Sequence, residues 1–181
     1  MLEIRGSKTE ENLKKAFANE TQESNRYTYY AEQARRDGYE QIGSIFDEMA
    51  GNENERAKLW YKLLNGGIGT TEENLANSIN GEQNESNEVE DTYIDYANTA
   101  REEGLDEIAE LFERVAAIEN SQNATFEELL NRVRNGEVFT RDGEIMWRCM
   151  VCGYTETGKS APLICPVCGY GQEFFEAEDI M

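Results

Sequence analysis

Four cysteines stand in two pairs of identical internal spacing, Cys149-Met-Val-Cys152-Gly-Tyr and Cys165-Pro-Val-Cys168-Gly-Tyr. A C-x-x-C turn lets two sulfurs and several backbone N–H groups converge on one ion, and the following glycine gives the chain room to turn. Two such knuckles complete a tetrahedral cage of four thiolates. Tetrahedral sulfur ligation suits iron or zinc, so the spacing alone leaves a redox iron and a structural zinc both open. Close pairs of this kind read as metal ligands rather than disulfides in a reducing compartment. No histidine occurs anywhere in the chain, so any second metal site must be built from carboxylates and other oxygens.

The elements that must position these groups differ along the chain. The first 135 residues contain no proline, whereas Pro162, Pro166 and all four cysteines lie in the last quarter. That shift places a domain boundary near Asn135-Gly136, giving domains 1–136 and 137–181. The first domain reads as four long helices. One opens at Ser7-Lys8-Thr9-Glu10, in capping-box form, and runs to Asp37-Gly38. The second runs from about Tyr39 to Asn65 and stops at Gly66-Gly67. After a loop with a short helix over Thr71 to Ile79, the third runs from about Glu82 to Glu103, and the fourth from Gly104 to about Arg134. Ala34-Arg35-Arg36-Asp37-Gly38-Tyr39-Glu40-Gln41-Ile42 repeats at an offset of 66 as Ala100-Arg101-Glu102-Glu103-Gly104-Leu105-Asp106-Glu107-Ile108. The offset also pairs Tyr27 with Tyr93, Phe46 with Phe112, Glu53 with Glu119, and Arg56 with Gln122. Two repeated αα-hairpins joined by a long loop predict a ferritin-like four-helix bundle with a crossover. The tail reads as a small β-rich module that needs a metal to hold a core of its size.

The helical periodicity then points at a second set of ligands. Phe46, Met49, Trp60 and Leu63 mark an inward stripe on the second helix that passes through Glu53 and Arg56. Phe112, Val115, Phe126 and Leu129 mark the equivalent stripe on the fourth, through Glu119 and Gln122. Leu13, Phe17, Tyr27, Ala31 and Ala34 pass through Glu20 on the first, and Glu85 and Glu88 precede Thr92 and Tyr96 on the third. Counted from the turn glycines Gly38 and Gly104, all five glutamates fall in one layer. Five uncompensated core carboxylates are prohibitively costly, so a cation must stand among them. The plainer alternative is that some helices are rotated and their glutamates face water. Glu82, Glu90 and Asp91 read as solvated or supporting.

Lys and Arg number 17 against 37 Asp and Glu, a formal net charge of −20. Such a chain repels phosphates, which argues against nucleic acid and anionic membrane as partners. No apolar stretch approaches membrane-spanning length, and MLEIRGSKTEENL lacks the apolar core of a signal peptide. A cytoplasmic protein is expected.

The two knuckles, with Trp147 two residues before the first, resemble rubredoxin, whose cage holds one redox-active iron. Taken with the carboxylate helices, nearly the whole chain resembles rubrerythrin, including the segments Ala16-Phe17-Ala18-Asn19-Glu20-Thr21-Gln22 and Asn52-Glu53-Asn54-Glu55-Arg56-Ala57-Lys58. The resemblance implies a non-haem di-iron peroxidase that reduces hydrogen peroxide to water. Its partners would be an electron donor such as a reductase or rubredoxin, and a second copy in a head-to-tail homodimer. Glu20, Glu53, Glu85, Glu88 and Glu119 fall on the family's carboxylate ligands, with Tyr27 and Tyr93 on tyrosines beside that site. Two irons would lie there and one in the cysteine cage, with manganese or zinc as substitutes.

The family's pattern also places a histidine three residues after each of two ligand glutamates. Arg56 and Gln122 stand there instead. Arginine keeps its proton and cannot ligate a metal, whereas a glutamine oxygen is a weak hard ligand. Two readings follow. The carboxylates retain two metals while Arg56 pairs with a neighbouring glutamate, with peroxidase activity impaired. Alternatively the guanidinium substitutes for a metal, leaving an electron carrier or metal-binding protein with a silent bundle. Iron oxidation and storage without peroxide turnover is a third possibility.

Overall fold

The computed structural model describes residues 4–83 and 89–178. Two compact units divide the chain, Met1–Gly69 and Thr70–Met181.

In the first unit, helices α1 (Lys8–Arg36) and α2 (Glu40–Asn65) form an antiparallel hairpin. Ser7 caps α1 by accepting the Glu10 N–H at 3.1 Å, while the Glu10 carboxylate takes the Gly6 N–H, one residue earlier than the usual capping box. The chain reverses at Asp37-Gly38-Tyr39. Gly38 adopts φ +84°, a left-handed conformation that a side chain disfavours. Ala31, Ala34, Gly43, Ala50 and Ala57 are buried between the helices. Small residues there bring the backbones close enough for the Ser24 hydroxyl to reach the Ala50 carbonyl at 2.9 Å.

The second unit opens with α3 (Thr71–Gln83), which begins in a reciprocal box: Thr70 Oγ1 accepts from the Glu73 N–H, and the Glu73 carboxylate accepts from the Thr70 N–H. Glu82, expected to open the third long helix, lies instead in the last turn of α3. Helices α4 (Val89–Glu102) and α5 (Asp106–Asn135) form the second hairpin, reversing at Gly104 with φ +77°. Its turn repeats the main bonds of the first. The Tyr39 and Leu105 N–H groups donate to the Ala34 and Ala100 carbonyls, both at 2.8 Å. Arg35 pairs with Asp47, and Arg101 with Glu113, again 66 residues on. Tyr27 and Tyr30 pack on Phe46 as Tyr93 and Tyr96 pack on Phe112.

α5 ends at the left-handed Gly136. A three-stranded antiparallel sheet follows, built from β1 (Thr140–Cys149), β2 (Thr155–Ser160) and β3 (Phe175–Ala177) in the order β2-β1-β3. Its core is Trp147, Ala161, Phe175 and Ala177 around Cys149 and Cys165. Trp147 is fully buried and donates its Nε1–H to the Gly158 carbonyl at 3.1 Å, while the Arg141 guanidinium lies 5.3 Å from its ring centre. No described helix is long and apolar enough to cross a membrane.

The seam of each hairpin corrects one expectation. On α2 the buried line runs through Gly43, Phe46, Ala50, Glu53, Ala57, Trp60 and Leu64. Met49 and Leu63, expected inside, are 38% and 41% exposed. Antiparallel packing selects a single line, and at 3.6 residues per turn the line through 49, 56 and 63 lies about a quarter turn away from it. On α5 the corresponding line is Ala109, Phe112, Ala116, Glu119, Asn123, Phe126 and Leu130. Gln122, like Arg56, falls off the seam and is exposed.

Candidate metal centres

In the β module the two knuckles are geometric twins. The Cys149 N–H donates to the Tyr154 carbonyl at 2.7 Å and the Cys165 N–H to the Tyr170 carbonyl at 2.8 Å. The N–H groups of Gly153 and Gly169 close back onto the carbonyls of Cys149 and Cys165. Both glycines have positive φ, which lets the chain wrap each sulfur pair. The four Sγ atoms lie within 4.8 Å of one another, with Cys149–Cys168 and Cys152–Cys165 both at 3.7 Å. A tetrahedral ion with metal–sulfur bonds of about 2.3 Å requires sulfurs about 3.8 Å apart, so the cage fits one ion. Cys149 and Cys165 are buried, whereas Cys152 is exposed and Cys168 half-buried.

The electrostatics of the cage favour a cation. Burial opposes ionisation of Cys165, but the N–H groups of Cys168 and Val167 outweigh it and hold the thiol down to about 7. At Cys168 the Tyr170 N–H favours the thiolate, yet burial and the three neighbouring sulfurs push it up to about 12. The Cys165 thiolate forms readily while Cys152 and Cys168 resist, because negative charge accumulates in a small volume. A metal ion removes that resistance by displacing the protons.

The carboxylate constellation is seen in part. Glu20 on α1 and Glu53 on α2 converge on one guanidinium. Arg56 Nε lies 2.9 Å from Glu20 Oε2, and an Arg56 terminal nitrogen lies 2.5 Å from Glu53 Oε2. Both glutamate side chains are largely buried, at 20% and 14% exposure, while Arg56 stays half in solvent. The Glu20 carboxyl is held below its ordinary value, chiefly by its hydrogen bond with Glu53 and then by Arg56, against the cost of burial. Trp60 Nε1 is buried in the same hairpin, and the indole N–H also helps hold the Glu20 carboxyl down. Tyr27 is half-buried, and the Glu23 charge raises its phenol.

In the second unit Glu119 is half-buried on the seam of α5, and Tyr93 is half-buried on α4. Glu85 and Glu88 lie outside the described residues, as do the side chains of Glu82, Glu90 and Asp91. Asn123 Oδ1 is buried without a hydrogen-bond partner. Sequence reasoning passed over this residue by following the line through 122 rather than the one through 123. The signal was present in the repeat, which places 123 opposite the buried Ala57. In the first unit the carboxylate oxygens of Glu20 and Glu53 suit a hard cation, with Arg56 as a built-in competitor.

Two family models match the chain, "Rubrerythrin" over residues 11–130 and "Rubrerythrin, rubredoxin-like domain" over residues 147–176. Rubrerythrin of Porphyromonas gingivalis is 43% identical, over 96% of this chain and 91% of that protein. Rubrerythrin of Nitratidesulfovibrio vulgaris is 39% identical, over 97% of each. Rubrerythrin-1 of Clostridium acetobutylicum is 38% identical, also over 97% of each. With the twin knuckles, the repeated helical hairpins and matches that span nearly its whole length, the chain belongs to the rubrerythrin family.

Proposed function

We propose that this chain is an oxidoreductase that reduces hydrogen peroxide to water, consuming two protons and two electrons per peroxide. Family membership supports the reaction class. The observation that carries the reading is the convergence of Glu20 and Glu53, 33 residues apart and both largely buried, on one positive charge beside the hairpin seam. Residues 1–136 would carry the carboxylate centre and residues 137–181 the electron relay. Glu20, Glu53, Glu85, Glu88 and Glu119 would hold two ions, iron or in its place manganese or zinc, and iron bound there supplies the redox equivalents that cleave the O–O bond. Cys149, Cys152, Cys165 and Cys168 would hold the relay iron, with the exposed Cys152 as the side open to an incoming electron. Tyr27 and Tyr93 would orient glutamates by hydrogen bonding. Arg56 neutralises part of the carboxylate charge and, by competing with metal, lowers activity. The protein would work in the cytoplasm as a head-to-tail homodimer, fed by a reductase or a rubredoxin.

A second reading follows from the same ion pairs. Since Arg56 already satisfies Glu20 and Glu53, the helical part could be catalytically silent and the protein an electron carrier. Elemental analysis of protein expressed with iron, beside peroxide turnover with a supplied donor, separates the two. About three irons per chain and turnover support the peroxidase; about one iron, all of it in the cysteine cage, supports the carrier. Oxidation of ferrous iron by dioxygen without peroxide consumption would point to iron storage. The double variant Arg56→His/Gln122→His should raise the peroxidase rate. No gain in a variant shown to hold full iron would remove Arg56 as the cause of impairment.

A further inference from the structure

Each residue of the buried line on α5 has a counterpart 66 residues earlier on α2, and at one place an apolar side chain on α2 becomes an amide on α5. Ala57 is apolar, and its counterpart Asn123 carries an amide. An amide oxygen that is buried and unpaired leaves its desolvation uncompensated, a cost of about 1–3 kcal/mol. Asn123 Oδ1 is such an atom, and it is an acceptor with nothing to accept. It also stands four residues after Glu119 on the same seam, and residues so spaced are neighbours on a helix face. Gln122, at the position where the family pattern has its histidine, is exposed and off that seam.

The halves of the repeat thus differ in what they already hold. In the α1–α2 hairpin Glu20 and Glu53 have found a cation in Arg56. In the second hairpin position 122 carries no charge, and the orphaned buried atom is an acceptor beside a glutamate. A buried amide oxygen with no donor, one helical turn from a carboxylate, can be satisfied by a cation. Hard divalent ions accept amide oxygen as a ligand alongside carboxylate.

We propose that Asn123 is a metal ligand in this protein, its Oδ1 binding together with Glu119 a divalent ion that prefers oxygen, and so replacing on α5 the side chain that position 122 fails to supply. The inference rests on the reading that the carboxylate centre takes metal.

The test uses the full-length chain with zinc filling the cysteine cage, so that added Mn²⁺ reports only on oxygen sites. Mn²⁺ binding is followed by the electron paramagnetic resonance of the free ion and by calorimetry. Asn123→Ala should weaken Mn²⁺ binding by at least about tenfold, the scale seen when metal-site partners are lost. Asn123→Asp keeps the shape and adds charge, and it should bind as tightly as the parent or more tightly. In the metal-free state the aspartate variant should melt lower than the parent and recover on adding Mn²⁺. Equal Mn²⁺ affinity in Asn123→Ala and the parent overturns the proposal, as does equal loss in both variants while helix content is retained. A parent that binds neither Mn²⁺ nor Fe²⁺ outside the cage overturns the underlying reading instead.

Discussion

Arg56 decides the chemistry of the first hairpin through a property no other side chain shares: it is always charged and cannot coordinate a metal. Placed between Glu20 and Glu53, it gives both carboxylates a counter-charge without a metal ion. Arg56→Met retains the aliphatic stem and removes the charge, leaving the two carboxylates to repel each other. Because the folded-state Glu20 carboxyl lies below its ordinary value, the stability it contributes is present above the carboxylate range and is lost as pH falls through it. Metal-free Arg56→Met should therefore melt a few degrees below the parent near neutral pH, and the two melting curves should converge toward about pH 3. A gap that persists in acid would assign the effect to packing of the stem rather than to charge.

Element pairing rests on close backbone approach. Ala31 and Ala97, 66 residues apart, are both fully buried at equivalent points of the two hairpins. Packing there leaves no room for a longer side chain. Ala31→Leu and Ala97→Leu should each destabilise by about 1–3 kcal/mol in urea titrations. Tyr29→Leu, at a position 63% exposed on α1, should stay within about 0.5 kcal/mol. A tolerated leucine at 31 or 97 would show that the helices are held further apart than their alanine seam indicates.

For the whole molecule, the cysteine cage should act as a folding device as well as the proposed electron relay. A tail of this size buries little apolar surface, and its core is arranged around Cys149 and Cys165. Cys165→Ser, or chelation of the cage ion, should unfold the module and shift Trp147 fluorescence to the red as the buried indole meets water. Far-UV helix content should change little, because the cage residues lie outside the helices. A blue-shifted Trp147 signal in metal-free protein would show that packing alone holds the tail. The acidic surface acts at the same scale: a net charge of −20 disfavours anionic partners at any orientation.

Several features were determined by local chemistry and were legible in the sequence. The two C-x-x-C-G-Y segments dictate their own knuckles, since the turn needs only the glycine and neighbouring backbone groups. The hairpin turns at Gly38 and Gly104 and the 66-residue repeat follow for the same reason. The placing of Glu20 and Glu53 at one height followed from counting along antiparallel helices. What only tertiary structure decided was rotation about the helix axis. Lines through 49-56-63 and 50-57-64 are both consistent with helical periodicity, and only contact with a partner helix selects one. That contact put Met49, Leu63 and Gln122 outside the seam and Asn123 inside it. It also let Arg56, rooted off the seam, reach back across to two largely buried carboxylates.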